Sequence, residues 1–381
     1  MPDPIPLTSD RGTREELEDK LALCLSGGGY RAMLFHLGVL WYLNDARYLR
    51  RLDRISSVSG GSLTAGILAT RWGELRFDSE SETGLATNFP DVVVTRVRKI
   101  ASTTIDQGSV IRGILTPGTS IGERIIKRYR EVAFGDARLD QFPDRPVFVI
   151  NASNVQTGGL FRFTKKYIAD WRIGVINKPR RLVAEAVAAS SAFPPILSPA
   201  TLRFRHEEWE ELNVAEAGRK PFTENVVLTD GGVYDNIGLE NPWKKCKRVI
   251  VSDAGAHFRA EADQPHDAVR HGLRVNSLID NQVRSLRRRQ VVSAFQAPED
   301  PHKGVFFAMW TPASKFTTSS LQFDEQRGLD LATVPTRLAE LKPEMQNRLI
   351  NYGYAMAERA IRTHFDPQAF APAKFPALDG V

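Results

Sequence analysis

A chain of 381 residues with 42% hydrophobic and 25% charged residues can bury a sizeable core, which excludes disorder and leaves one large domain or a core with an appendage. Its formal net charge of +6 is gathered in short basic clusters at residues 96–99, 124–130, 178–181, 244–248 and, most densely, 284–289. Two cysteines, Cys24 and Cys246, give no disulfide framework, and no apolar run of about 18 residues suggests a membrane span.

In chain order, residues 1–20 are polar and charged, without a signal-peptide pattern, so a cytoplasmic protein is expected. Residues 21–25 read as a buried strand and 31–43 carry apolar residues at helical spacing. The run Ser26-Gly27-Gly28-Gly29-Tyr30-Arg31 therefore lies at a strand-to-helix junction, where backbone N–H groups point outward and glycine lets a ligand come close. Arg31 adds a positive charge beside it. The same residues, continued to Ala32, also satisfy the dinucleotide pattern G-x-G-x-x-G/A.

Residues 53–58 form a second strand and 61–75 a second helix, so Ser59 in Ser57-Val58-Ser59-Gly60-Gly61 falls on a sharp strand-to-helix turn. That is the geometry of a nucleophile elbow, although Ser57 stands where G-x-S-x-G has glycine. A long insertion, 76–145, contains Gly108, Gly113, Pro117, Gly118 and Gly122; it reads as a lid or as helices on the sheet edge. After a strand at 146–150 and a Glu-rich excursion at 203–220, the apolar run 226–228 leads into Asp230-Gly231-Gly232. This places Asp230 at the carboxyl end of a strand, where open α/β sheets carry their sites; alone, Asp-Gly-Gly is also an ordinary turn. A strand at 248–252 follows. From residue 265 the character turns helical, at 268–290 and 343–363, as a carboxyl-terminal layer of the same domain whose core is 1–264.

These pieces answer the needs of acyl transfer: an exposed nucleophile, a base within reach, and donors aimed at the developing oxyanion. A model aspartate, with a pKa of about 3.9, is a weak base for a serine hydroxyl, so burial beside 226–228 is expected to raise Asp230. A histidine triad is the competing arrangement, with His257, His266, His271, His302 and His364 all following Asp230, and His257 alone near an expected strand end. His36 lies in an apolar helical stretch, and the chain has no His-x-x-x-His or Cys-x-x-Cys pair.

Taken in this order, the Gly-Gly-Gly-Tyr-Arg-Ala loop, Ser59, the segment Ala189-Ser190-Ser191-Ala192-Phe193-Pro194-Pro195 and Asp230-Gly231-Gly232 resemble the patatin-like phospholipase family and the related catalytic domains of cytosolic phospholipases. The matching motifs span residues 20–255. The resemblance implies a three-layer α/β/α fold with a mainly parallel central sheet, Ser59 as nucleophile, Asp230 as its partner, and an oxyanion hole at Gly27, Gly28 and Gly29 with Arg31 beside it. It also implies hydrolysis of lipid acyl esters, those of phospholipids or lysophospholipids, without cofactor or metal. The basic clusters suit simple solvation, the usual fate of a charge run, or an anionic membrane surface at the inner face. Nucleic acid is not an expected partner, because no aromatic residue interleaves Arg287-Arg288-Arg289 and no binding motif is present. Head group, acyl position and oligomeric state stay open. So do a signal-gated, membrane-degrading effector of the same chemistry, a nucleotide-binding protein and a non-catalytic membrane adaptor.

Overall fold

The computed structural model describes residues 17–105, 120–258, 260–264, 267–378 and 380–381. Ten strands of the described residues form one sheet: β1 (Glu18–Leu25), β2 (Arg54–Val58), β3 (Val147–Asn154), β4 (Leu160–Phe163), β5 (Tyr167–Asp170), β6 (Gly174–Asn177), β7 (Ala200–Arg203), β8 (Asn225–Asp230), β9 (Cys246–Asp253) and β10 (Lys303–Ala308). Around it pack α1 (Gly29–Asp45), α2 (Gly60–Arg71), α3 (Thr95–Ala101), α4 (Ile121–Tyr129), α5 (Val183–Ser190), α6 (Ala268–Gln296) and α7 (Pro343–His364).

The strands β10, β9, β1, β2 and β3 are parallel neighbours in that order. Beyond β3 the sheet continues through β4, β5 and β6 as antiparallel strands. Side chains alternate across β1: Leu21, Leu23 and Leu25 enter the large core, while Ala22 and Cys24 face a smaller cluster with Ile237, Leu239, Val249, Val251 and Val291. Helices on both faces of the sheet make the three layers.

The chain's two cysteines are both free and buried. No described helix is long and apolar enough to cross a membrane.

The junction that matters most lies at one edge of β3. Strand β2 pairs with β3 up to Val58 opposite Asn151. Strand β4 occupies the other edge, from Ile150 to Ser153. Strand β8 meets β3 where β2 stops, running the opposite way, with Leu228 opposite Asn154 and Asp230 opposite Ala152. The carboxyl ends of β2 and β8 therefore face each other head-on, on adjacent rungs. Gly231 is required there, because a Cβ would collide with the Asn151 carbonyl.

The segment 265–381, read from sequence as a helical layer, also supplies β10, an edge strand paired with β9. It supplies α7 as well, which crosses the buried helix α1 at glycines. A Cβ on Gly38 would strike the Ile350 carbonyl, and one on Gly353 the Phe35 carbonyl, so the two helices approach backbone to backbone. The helix read over 61–75 ends as an α-helix at Arg71 and closes with a 3-10 turn, Trp72–Glu74.

Of the insertion 76–145, the stretch 106–119 with Gly108, Gly113, Pro117 and Gly118 lies outside the described residues. Its described parts pack on the body. Val93, Val97 and Ile100 are buried, and the Tyr30 hydroxyl donates to the Thr103 carbonyl at 2.8 Å.

Candidate active site

Ser59 ends β2 and caps α2 with φ +51° and ψ −117°, a strained backbone for a side-chain-bearing residue. The strain is held by its surroundings. The Ser59 N–H donates to the Ser190 hydroxyl at 3.0 Å, and that hydroxyl is bonded in turn to Ser62 at 2.9 Å. Ser62 donates to Ser57 Oγ at 3.0 Å, and Ser57 donates to the Val149 carbonyl at 3.3 Å. The side chain at 57, in place of glycine, thus joins a buried hydroxyl network.

Asp230 arrives from β8. Its N–H donates to the Ala192 carbonyl at 3.0 Å and that of Gly231 to the Ser190 carbonyl at 3.1 Å. The segment around Ser190 therefore fixes nucleophile turn and aspartate together. Asp230 Oδ1 accepts the Gly232 N–H at 2.7 Å, whereas Oδ2 is buried with no hydrogen bond among the described residues. Burial pushes the carboxyl up to about 6, against the lowering influence of the neighbouring Ser59 hydroxyl and the Gly232 N–H.

The glycine loop faces the same point. A Cβ on Gly27 would lie 3.2 Å from Ser59 Cβ and 2.5 Å from Asn236 Oδ1, and the Gly27 N–H donates to the Asn236 carbonyl at 3.0 Å. Gly28 and Gly29 have φ of +143° and +63°, and their N–H groups have no backbone acceptor among the described residues. The Arg31 guanidinium is buried and lies against the loop, with Nη2 3.0 Å from where a Cβ on Gly28 would stand. Its Nε and Nη2 donate to the Ala254 carbonyl at 3.2 and 3.0 Å, Nη2 also reaches Thr336 Oγ1 at 3.1 Å, and Nη1 donates to the Val334 carbonyl. Desolvation lowers it to about 10, still charged at neutral pH. Arg31 binds the end of β9 to residues 334–336.

Above Ser59 lies a cleft of about 30 Å³, lined by Gly29, Ser191, Phe193, Ile196, Leu197 and residues 336–338. None of the described residues of 76–145 lines it. Part of its wall comes from residues 336–338, in the stretch before α7, a region with no motif. The Tyr30 N–H donates to the Arg337 carbonyl at 2.9 Å, and a Cβ on Gly29 would come within 2.6 Å of that oxygen. The side of Gly29 toward which a Cβ would project is thus filled by the backbone of Arg337, so only glycine fits there.

The described histidines lie elsewhere. His36 is buried between the Ser26 carbonyl and Ser252 Oγ, both at 3.0 Å, and burial holds it down near 4, neutral. His257 sits with its ring 5.7 Å from Trp310, His302 stacks on Trp243 at 3.8 Å, and His364 packs on Phe316. His206 bonds Thr223, and His271 is exposed on α6. None of these is bonded to Ser59 or Asp230; His266 lies outside the described residues. Sequence reasoning missed Asn236, wedged against Gly27 and Gly232, and the acceptor role of Ser190.

An α/β/α sheet with a strained serine at the end of β2 and a buried aspartate beside it defines a hydrolase-like class of fold and site. Residues 23–243, more than half of the chain, match the patatin-like phospholipase family, and the chain belongs to that family. Human GIVD cytosolic phospholipase A2 has a similar structure, with a TM-score of 0.52 at 12% identity over 93% of this chain and 62% of that one. The same human enzyme in complex with a methyl gamma-linolenyl fluorophosphonate inhibitor and terbium chloride gives a TM-score of 0.52 at 14% identity, covering 93% and 59%. At these identities the likeness is one of fold, and the chain spans about three-fifths of the length of those solved chains. Among curated proteins no match is found.

Proposed function

We propose that this protein is a lipid acyl hydrolase that cleaves fatty acyl esters of phospholipids or lysophospholipids through a Ser59 acyl-enzyme. The single observation that carries this reading is the head-on meeting of β2 and β8, which sets a strained serine beside an aspartate raised to about 6 with one carboxylate oxygen unbonded. Asp230 takes the hydroxyl proton as Ser59 Oγ attacks the ester carbonyl. The N–H groups of Gly28 and Gly29 and the amino end of α2 stabilise the oxyanion. Collapse expels the alcohol, which takes the proton back, and water activated by the same aspartate then releases the fatty acid from Ser59. The dyad calls for no metal or cofactor.

The 381 residues act as one catalytic unit in this reading, supported by the contact of α7 with α1. A lipid surface at the inner membrane face is the partner, with the protein otherwise cytoplasmic. Support comes from α6, whose Leu273, Leu278, Ile279, Val283 and Leu286 are exposed beside basic residues. Asp280 of α6 is close enough to act on the charge of Asp230, so this helix lies near the site.

Phe193 and residues 336–338 wall the cleft of about 30 Å³ over Ser59, and the second reading is a gated form of the same activity, opened by movement of those residues. The test is labelling of wild-type protein and Ser59→Ala with a fluorophosphonate, the inhibitor class bound to the human enzyme, together with fatty acid release from mixed phospholipid vesicles. Labelling and release that both vanish in the variant are expected. Labelling that persists in Ser59→Ala would overturn the assignment.

A further inference from the structure

A second cavity, of about 240 Å³, opens at the far end of α2, lined by Ile67, Arg71, Arg96, Lys99, Arg130 and Glu131 among others. Three segments distant in sequence bring cations to it: the last turn of α2 (Arg71), α3 (Arg96 and Lys99), and the π-helical turn Arg130–Phe134 that continues α4. Their pairing is incomplete. Arg71 and Arg96 share the single carboxylate of Glu74, at 2.8 and 3.2 Å. Arg130 is paired with Asp136, and Glu131 is paired outside the lining with Arg128 at 3.3 Å. Lys99 is exposed and has no acidic partner among the described residues, and Arg71 Nε is buried without an acceptor. Two positive charges are therefore left over around one concavity.

We propose that this cavity is a binding site for a phosphate-bearing dianion. A phosphate monoester carries close to two negative charges near neutral pH, and its oxygens suit the planar forks of Arg71 and Arg96 with Lys99 as a point charge. The volume lies just below the roughly 300 Å³ at which drug-sized pockets begin, so the ligand is small. It is not the scissile substrate at Ser59. Helix α2 has 12 residues, so its two ends are about 18 Å apart, and a phosphate held at Arg71 cannot present its own ester bond to Ser59. The phosphate belongs to a small solute or to the head group of a second lipid.

Calorimetric titration of the full chain with sodium pyrophosphate at low ionic strength tests this, with co-sedimentation on phosphatidylcholine vesicles containing phosphatidic acid as the parallel arm. Wild-type protein should bind, Lys99→Gln should weaken binding at least fivefold, and the Arg96→Gln, Lys99→Gln double variant should abolish it while circular dichroism stays native. Pyrophosphate binding lost in the variants identifies a soluble ligand. Loss confined to the vesicle arm identifies a head group. Both sustain the site. Absence of binding in both arms, or binding unchanged in Lys99→Gln and the double variant, overturns it. Ser59→Ala should bind pyrophosphate like wild type, so this result is independent of the catalytic assignment.

Discussion

The two ends of α2 are built on opposite physical principles. At its amino end Ser59 and Asp230 are buried, polar neighbours are already bonded to one another, and the open volume is about 30 Å³. At its carboxyl end partly exposed cations surround about 240 Å³, two of them sharing the one carboxylate of Glu74. The first end lets burial set a pKa and orients groups before substrate arrives. The second keeps its charges solvated, where each pair contributes little to stability and stays free to exchange partners. One helix thus joins a dry, buried end to a wet, charged one.

The largest effect expected is at the dry end. Ser59→Ala should lower ester hydrolysis by at least roughly 10⁴-fold with stability little changed, measured as fatty acid release and by thermal melting. Retained turnover would place the nucleophile elsewhere.

Gly29→Ala comes next. The added methyl meets the Arg337 carbonyl at 2.6 Å on a backbone with φ +63°, displacing an oxyanion donor, and kcat should fall by about 10²–10³. A variant of unaltered kcat would show that the loop plays no part in the transition state.

The pH dependence sharpens the contrast further. Because the aspartate must be ionised to act as base, kcat/KM should rise through an apparent pKa of about 6 and level off above it. Stability moves the other way. The folded-state pKa is raised from the ordinary 3.8, so ionisation costs more in the folded chain and stability is lost as pH rises from about 4 through about 6. Asp230→Asn should therefore be more stable than wild type at pH 8, on the order of 2–3 kcal/mol, with the gap closing below pH 4. Urea unfolding at the two pH values reads this directly.

Ser190→Ala removes the acceptor of the Ser59 N–H and should cost about 1–2 kcal/mol by the same measurement. The smallest effect belongs to the wet end: Arg71→Gln, at a partly exposed pair, should change stability by less than about 1 kcal/mol, and less still in high salt. A larger loss would mean that the two ends are not built differently.

What the sequence disclosed follows the same division. Strands β1, β2, β8 and β9 were legible because their apolar runs end near Gly or Asp signals, and Ser59 and Asp230 because a pair of glycines follows each. The antiparallel strands β4, β5 and β6 are four residues each, too short to show a period. That β8 opposes β3, so that Asp230 meets Ser59 head-on, depends on pairing between residues about 75 apart and leaves no local trace. Arg31 reads as an oxyanion charge because it closely follows the glycine run. Its hydrogen-bond partners, Ala254, Val334 and Thr336, lie more than 200 residues away and leave no local trace. Likewise Asn236 and residues 336–338 are ordinary in sequence, and only the fold carries them to the cleft.

The glycine-to-glycine crossing of α1 and α7 bears on how the molecule is made. Helix α1 begins at the loop beside Ser59, and its outer side is covered by a helix that ends at His364. During synthesis, residues 23–243 leave the ribosome well before α7 exists. The nascent chain thus carries Ser59 and Asp230 while α1 is still uncovered, and fluorophosphonate reactivity should appear only after α7 has been made. A chain stopped at residue 264 should accordingly resist fluorophosphonate labelling despite retaining Ser59 and Asp230, which would place the onset of chemistry under the control of α7, a helix translated after both residues.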